Sequence, residues 1–277
     1  MQKLFRVNSK YRSSGTTSSF TMSFDARDMD TVQSVALLDA TLNRKFPNIY
    51  SPNNKLVLII RTAGPTDTSV TATIPELQYT APELATALTA QILSAGVSGI
   101  TVTYSAAPVD KFSFVWDGTG AGYFYVTVLT DVTSTYATSQ YSTISQSLGI
   151  MSDMQLTPNV PVLASTSPSL EGPNEVYIQS NLIAGSNCVD VPALNSYIPY
   201  LGKISYNNIP YGFTGVYQST QAELQQVNYK LRSGTQSIRT FDVQLTDRFG
   251  NILPIPANCF IDMHLAIYYN PGNELMY

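Results

Sequence analysis

FDVQLTDRFGNILPI, residues 241–255, runs strand, corner, strand. Phe241, Val243 and Leu245 alternate with Asp242 and Gln244, which is the period of a half-buried strand. Thr246-Asp247 leave that strand, and Gly250-Asn251 supply backbone that tolerates a positive φ before Ile252 re-enters an apolar run. Asp247-Arg248 therefore reads as a corner and not as a reactive pair.

The same grammar extends in both directions. SFTMSFDA places Phe20, Met22 and Phe24 on one face; VQSVALLDATL comes next, and KFPNIYSPNN breaks the pattern with prolines and asparagines before KLVLIIRT resumes it as an almost continuously apolar strand. One helix interrupts at about residues 81–95. Thr80 and Glu83 form a capping box with Pro82 in the first turn, Leu84, Leu88 and Ile92 lie on one stripe, and Gly96 is placed to end it. This helix is expected to cover an open end or flank of a sandwich. GITVTYSA, KFSFVWDG and YFYVTVLTD return to strands, the first two joined by a short Ala-Ala-Pro turn and the second two by GTGAG, read as a hairpin connection. Residues 131–174 are rich in Ser, Thr and Pro, hold a weak helical turn in ISQSLGIM, and form the longest candidate loop. EVYIQSNLIA, IPYLGKISYNNIPYGFTG, SIRTFDVQLTD and CFIDMHLAIYY complete about ten strands. Strands this numerous with one helix predict an all-β fold, an antiparallel two-sheet jelly-roll sandwich with long loops.

Composition agrees. The chain has 277 residues with 44% hydrophobic, 12% charged, 18 Tyr and 11 Phe. A chain this long buries roughly three quarters of its unfolded surface and needs no metal or disulfide staple. Its charged fraction is about half of the ordinary quarter, as expected of a surface covered by partners. Lys3, Arg6, Lys10 and Arg12 all precede the first acidic residue, Asp25. Residues 1–17 thus read as a basic N-terminal arm of charge +4 on a body of −8, eleven basic against nineteen acidic groups. Such an arm suits docking onto a neighbour or nucleic acid; a solvated N-terminus is the alternative. The domain reading is the arm, then one jelly-roll domain over 18–277, with 131–174 as an optional loop insertion. Cys188 and Cys259 sit in or beside apolar strands with no metal-ligand spacing, so buried thiols are expected. No signal peptide, membrane-length apolar run or Asn-x-Ser/Thr acceptor is present, which favours synthesis in a reducing, intracellular setting.

Chemistry is hard to place. DGTGAGYF, with Gly118, Gly120 and Gly122, is followed by a strand, whereas a phosphate loop opens a helix. His264 is the only histidine; Phe260, Asp262 and His264 share one strand face, and Ile261, Met263, Leu265 and Ile267 the other. One histidine supplies neither a cupin-type metal site nor a catalytic triad, and a structural or pH-sensitive polar contact is expected. Asp28 and Asp30, near Asp25, lack the D-x-D-x-D-G pattern of a calcium loop and read as a solvated acidic loop, and Asp110 and Asp117 flank a strand. No catalytic, metal or cofactor-binding residue is assigned, and no enzyme activity is expected. YIPYLGKISYNNIPYGFTGVY stands apart: tyrosines broken by Gly and Pro with little charge are what the centre of a protein interface looks like. Tyr197, Tyr200, Tyr206, Tyr211 and Tyr217 are the candidate subunit-interface residues, with a loop folded over the sandwich edge as the alternative.

Taken in order, SFTMSF, VQSVALLDATLNRKFPNIY with its Pro-Asn-Ile-Tyr corner, NNKLVLII, TATIPELQYTAPELATALTAQI, SLGIM, EVYIQSNLI, IPYLGKI and FDVQLTDRFGNILPI resemble one family. It is the single jelly-roll minor capsid, or penton, proteins of virophages, polinton-like viruses and related large DNA viruses. The C-terminal strand departs from that pattern, continuing Ala266-Ile267-Tyr268-Tyr269 where the family often has a basic residue after an aromatic. The resemblance implies a structural capsid protein, a homopentamer closing the fivefold vertices of an icosahedral virion beside trimers of a double jelly-roll major capsid protein, made in the host cytoplasm or a viral factory. Lys3, Arg6, Lys10 and Arg12 would then form a capsid-contact arm that also meets genomic DNA or internal capsid components. Deleting residues 1–16 is expected to leave a folded ring but to impair its incorporation into the shell. A jelly-roll binding module, a carbohydrate- or receptor-binding head, is the alternative.

Overall fold

A computed structural model describes residues 2–23, 32–62, 67–119, 123–129, 142–180, 188–191, 196–219, 229–230 and 239–269. The chain divides into two compact units, Met1–Phe46 with Pro173–Tyr277, and Pro47–Gly172 between them. The boundary falls at the Pro/Asn-rich corner after Phe46, well before the loop at 131, and on the return at Glu171-Gly172-Pro173.

The first unit is built from β1 (Gln2–Asn8), β2 (Ser14–Gly15), β3 (Ser19–Ser23), β4 (Val32–Asn43), β12 (Glu175–Gln179), β13 (Cys188–Val191), β14 (Ser196–Ser205), β15 (Thr214–Gln218), β16 (Tyr229–Lys230), β17 (Thr240–Thr246) and β18 (Ile261–Tyr269). Sheet one has the order β1-β18-β4-β15, with β16 also on β4; sheet two has the order β13-β14-β12-β17-β3-β2. Every described pairing is antiparallel. Followed along the chain through β1, β3, β4, β12, β14, β15, β17 and β18, each link crosses between sheets except β12 to β14. With those neighbour orders, this is the double Greek-key wrap of a jelly roll. The expected jelly roll is therefore present, closed by the first unit alone.

The two sheets meet where side chains are absent. A Cβ on Gly202 of β14 would lie 2.4 Å from Leu37 of β4, and one on Gly215 of β15 would lie 2.4 Å from the ring of Tyr206. The alternation read from the sequence fixes the inward faces: Phe241, Val243 and Leu245, and Ile261, Met263 and Leu265, are all buried.

The stretch read as an arm is instead part of this unit. β1 pairs with β18 from Gln2↔Tyr268 to Asn8↔Asp262, Val7 is fully buried, and Ser14-Gly15 pair with β3. An apolar every-other-residue pattern, Phe5 and Val7 among the charges, carries that strand. Arg6 grips Asp262 through two nitrogens, at 2.9 and 2.6 Å. The Arg6 hydrogen bond is the largest influence holding the Asp262 carboxyl below its ordinary range. A depressed carboxyl contributes stability that is fully present above its unfolded pKa and lost as pH falls through the folded one. Asp262→Asn should thus melt slightly below the parent at neutral pH, and the gap should close on acidification below about pH 4, the ordinary Asp value. Matched thermal melts across pH check this; a gap that persists in acid would contradict it.

The second unit holds β5 (Lys55–Thr62), β6 (Asp67–Thr73), α1 (Ala81–Ser94), β7 (Ile100–Ser105), β8 (Lys111–Trp116), β9 (Tyr123–Val128), α2 (Ser145–Leu148), β10 (Met154–Leu156) and β11 (Val162–Leu163). They form one sheet ordered β10-β9-β5-β6 and another ordered β11-β8-β7. The apolar run of β5 is buried on both faces: Leu56, Leu58 and Ile60 join the main core with Trp116, Phe112 and Phe114, while Val57 and Ile59 cluster with Leu129. The predicted helix is present with its Thr80–Glu83 box, its buried stripe Leu84, Leu88 and Ile92, and Gly96 at φ 92 just past its end. Thr89 of α1 accepts the Val102 N–H at 2.9 Å, so the helix satisfies part of the β7 edge.

Two expectations change here. GTGAG is not a hairpin: β8 pairs with β7 and β11, β9 pairs with β5 and β10, and the connection therefore joins different sheets. The short turn already supplies β7 as a partner, and β11 returns on the other side of β8. Residues 142–174 are not simply loop, since they contribute α2, β10 and β11; residues 131–141 lie outside the described residues. Asn48 fastens both crossings of the second unit. Its amide donates to Tyr79 O and Leu170 O, its Oδ1 accepts the Tyr79 N–H, and a Cβ on Gly172 would sit 3.1 Å from its Cα.

Candidate assembly surface

The tyrosine-rich segment separates into a buried anchor and an exposed ridge. Tyr206, a predicted interface residue, is fully buried. Its hydroxyl donates to Leu42 O at 2.9 Å and Phe46 meets its ring edge-on at 5.2 Å. Burial pushes its phenol pKa well up, so it stays neutral. Tyr206 is core, because the bare backbone of Gly215 leaves room for its ring between the sheets.

Arg44, which the sequence pattern does not single out, organises the loop beyond Tyr206. Its guanidinium donates to Ile209 O and to Asn174 Oδ1, and lies 5.9 Å from the Tyr206 ring centre. The Arg44 N–H donates to Phe213 O and the Gly212 N–H to Arg44 O, both at 2.8 Å. These bonds strap residues 206–213 onto the end of β4 in the same unit. The strapped loop presents Tyr211 at 48% and Phe213 at 63% exposure, and Val216 on the adjoining β15 is 51% exposed. β15 pairs only with β4 among the described residues, and so forms an edge of sheet one. Tyr217 is half-buried.

The remaining candidates are dispersed. Tyr200 packs edge-on against Tyr177 at 5.3 Å, on sheet two. There the Tyr177 hydroxyl donates to Glu175 at 2.7 Å, and Lys203 pairs with the same carboxylate at 2.7 Å. Burial, with the Glu175 contact second, pushes the Tyr177 phenol up, and Lys203 draws Glu175 down. The backbone of Tyr197 pairs with Asp190; its side chain, like that of Cys188 and like Asp25, Asp28 and Asp30, lies outside the described residues. Cys259 is a buried free thiol whose Sγ faces Asn43 O, and burial raises its pKa.

The carboxylates that could have carried chemistry are used locally. Asp247 accepts from Phe249 N, Asn251 N and the Asn251 amide at 2.8, 3.0 and 2.9 Å, while Gly250 takes φ 84. That is the predicted corner, with Asp247 as its organiser. Asp110 accepts the Tyr104 hydroxyl and Asp117 accepts from Thr119 N and Oγ1, which lowers both carboxyl pKa values. His264 Nδ1 lies 2.8 Å from Asp39 on the outer face of sheet one, a polar contact of the kind expected. Among the described residues no three His, Cys, Asp or Glu side chains are grouped to hold a metal ion, and no helix is long and apolar enough to cross a membrane.

No protein-family model and no curated protein matches the chain. Among solved structures it is similar to the mavirus penton protein at 10% identity, over 98% of this chain and 100% of that one, with a TM-score of 0.48.

Proposed function

We propose that the chain is a structural subunit of an icosahedral virus shell, five copies of which close a vertex beside a double jelly-roll major capsid protein. One observation carries the reading. A jelly roll whose edge strand β15 is unpaired on its outer side among the described residues exposes apolar side chains instead of burying them, Tyr211 and Phe213 in a loop strapped by Arg44 and Val216 on β15 itself. Exposed, preordered aromatic surface of this kind marks a protein contact. A ring of identical copies needs a heterologous contact, one patch meeting a different patch on the next subunit, and an edge of one sheet supplies such a patch. The ordered sequence motifs of the penton family support the same reading, and the low charged fraction fits a surface consumed by neighbours.

Light scattering after size exclusion, over a range of concentrations, tests this. A five-fold mass is expected, with ring-shaped particles by negative stain. Phe213→Ser with Val216→Ser should shift the mass toward the monomer by at least about tenfold in dissociation constant, since central interface aromatics cost about 2 kcal/mol or more when truncated. A monomer at every concentration that binds glycans through Tyr211 and Phe213 would support a jelly-roll binding head instead.

A further inference from the structure

Charge is partitioned between the two units. Residues 47–172 hold three basic groups (Lys55, Arg61, Lys111) against eight acidic ones, a net −5, which leaves twelve basic against eleven acidic, a net +1, in the jelly-roll unit. Within that unit cations gather at one end of sheet one. β1 and β4 both finish there and β18 begins: Asn8 aligns with Asp262, Asp262 aligns with Thr41, the Ile261 N–H donates to Ser9 Oγ, and Cys259 Sγ faces Asn43 O. Lys10 and Arg12 come after β1 just beyond this line and Lys45 comes after β4. β1 and β4 lie on either side of β18, two strand spacings or about 10 Å apart.

Among the described residues these cations have no acidic partner. Among the described residues Arg12 donates to two carbonyls, Gly15 O at 3.0 Å and Ser9 O at 2.9 Å, which fix its guanidinium without cancelling its charge. Among the described residues no carboxylate pairs with Lys10, Arg12 or Lys45; the nearby Asp262 is occupied by Arg6. Tyr11 is 71% exposed, with the Lys10 ammonium 5.8 Å from its ring centre.

We propose that this end of sheet one, with Lys10, Arg12, Lys45 and Tyr11, docks the phosphate backbone of a nucleic acid. The proposal goes beyond the shell role and does not depend on it. Positive groups gathered at one end of a sheet supply the sequence-independent term of nucleic-acid binding. An exposed ring beside them offers a face on which an unpaired base stacks. The acidic unit of a second copy is the poorer fit. Four of its eight carboxylates are engaged within their own turns and strands, Asp67 with Arg61, Glu83 with Thr80, Asp110 with Tyr104 and Asp117 with Thr119.

The test uses the full chain and fluorescence anisotropy with a labelled 20-nucleotide single strand and the duplex of the same sequence, at rising salt. Lys10→Glu with Lys45→Glu should weaken binding at least tenfold at low salt. Lys10→Gln with Lys45→Gln, the milder pair, should flatten the slope of log affinity against log salt by about 1.4 for the single strand or about 1.8 for the duplex. Lys55→Glu with Lys111→Glu makes the same charge change in the other unit and should leave binding near the parent value. Tyr11→Ala should weaken single-strand binding more than duplex binding. The proposal is overturned if the parent binds neither probe, if the Lys55/Lys111 control weakens binding as much as the Lys10/Lys45 pair, or if low-salt self-association without oligonucleotide binding is what the Lys10/Lys45 pair abolishes.

Discussion

Removal of residues 1–16 will destabilise the jelly-roll unit severely, with loss of the cooperative melt or of soluble protein. The deletion strips β1, the full length of which is paired to β18, and takes Val7, fully buried, and Ser9, also fully buried, whose hydroxyl accepts the Ile261 N–H. It removes Arg6 from Asp262 and Ser14-Gly15 from β3. Burying one valine is worth about 1.5–3 kcal/mol, and each backbone bond lost from a ladder adds about 1 kcal/mol. The total rivals the roughly 5–15 kcal/mol that holds a typical domain together. β18 would also become a bare sheet edge, open to pairing between molecules. The sequence alone predicts the opposite, a ring that stays folded without its arm, because four cations before the first acid read as a tail. Circular dichroism melts and size exclusion of the shortened chain decide between the two: an unchanged melting temperature and a soluble product would show that β1 is dispensable.

That reversal shows where sequence legibility ended. Elements whose signal is local were readable: the Thr80–Glu83 box, the Leu84, Leu88 and Ile92 stripe, the Asp247 to Asn251 corner, and the inward faces of β17 and β18 all arise from periodicity and turn chemistry within a dozen residues. Features decided by partners far along the chain were not. β1 shows only two apolar inward positions, so its pairing with a strand more than 250 residues away leaves little trace in its own composition. The unit boundary at Phe46 was visible as a Pro/Asn-rich corner, but a corner within a domain and an exit to another domain have the same local chemistry. What distinguishes them is Asn48, which ties Tyr79 and Leu170 across long separations. The tyrosine-rich segment stands out in sequence through its Gly and Pro breaks and low charge. Its division into a buried Tyr206 and an exposed Tyr211 depended on Gly215, which clears space for a ring only because β15 happens to face β14. Arg44 was invisible for the same reason: its acceptors are mostly backbone carbonyls, which every residue has.

Tyr206→Ala is expected to cost about 3–5 kcal/mol, the range for truncating a fully buried aromatic, and to lower the melting temperature of the jelly-roll unit accordingly. The ring fills the space over Gly215, carries the edge contact with Phe46, and lies beneath the Arg44 guanidinium. Without it a cavity opens between the sheets, and the strap that fixes residues 207–213 loses its floor. Tyr206→Phe isolates one part of this. It keeps the packing and removes only the hydrogen bond to Leu42 O, a loss of about 1 kcal/mol. The two variants therefore separate by about 2–4 kcal/mol, the difference between those ranges. Chemical denaturation of both, at equal protein concentration, measures it. A Tyr206→Ala protein as stable as the Phe variant would mean that the ring sits in the contact surface, as the tyrosine-rich sequence first suggests, and not in the core. If the ring is core, the alanine variant should also weaken self-association indirectly, by releasing Tyr211 and Phe213 from their fixed orientation, whereas the phenylalanine variant should assemble as the parent does.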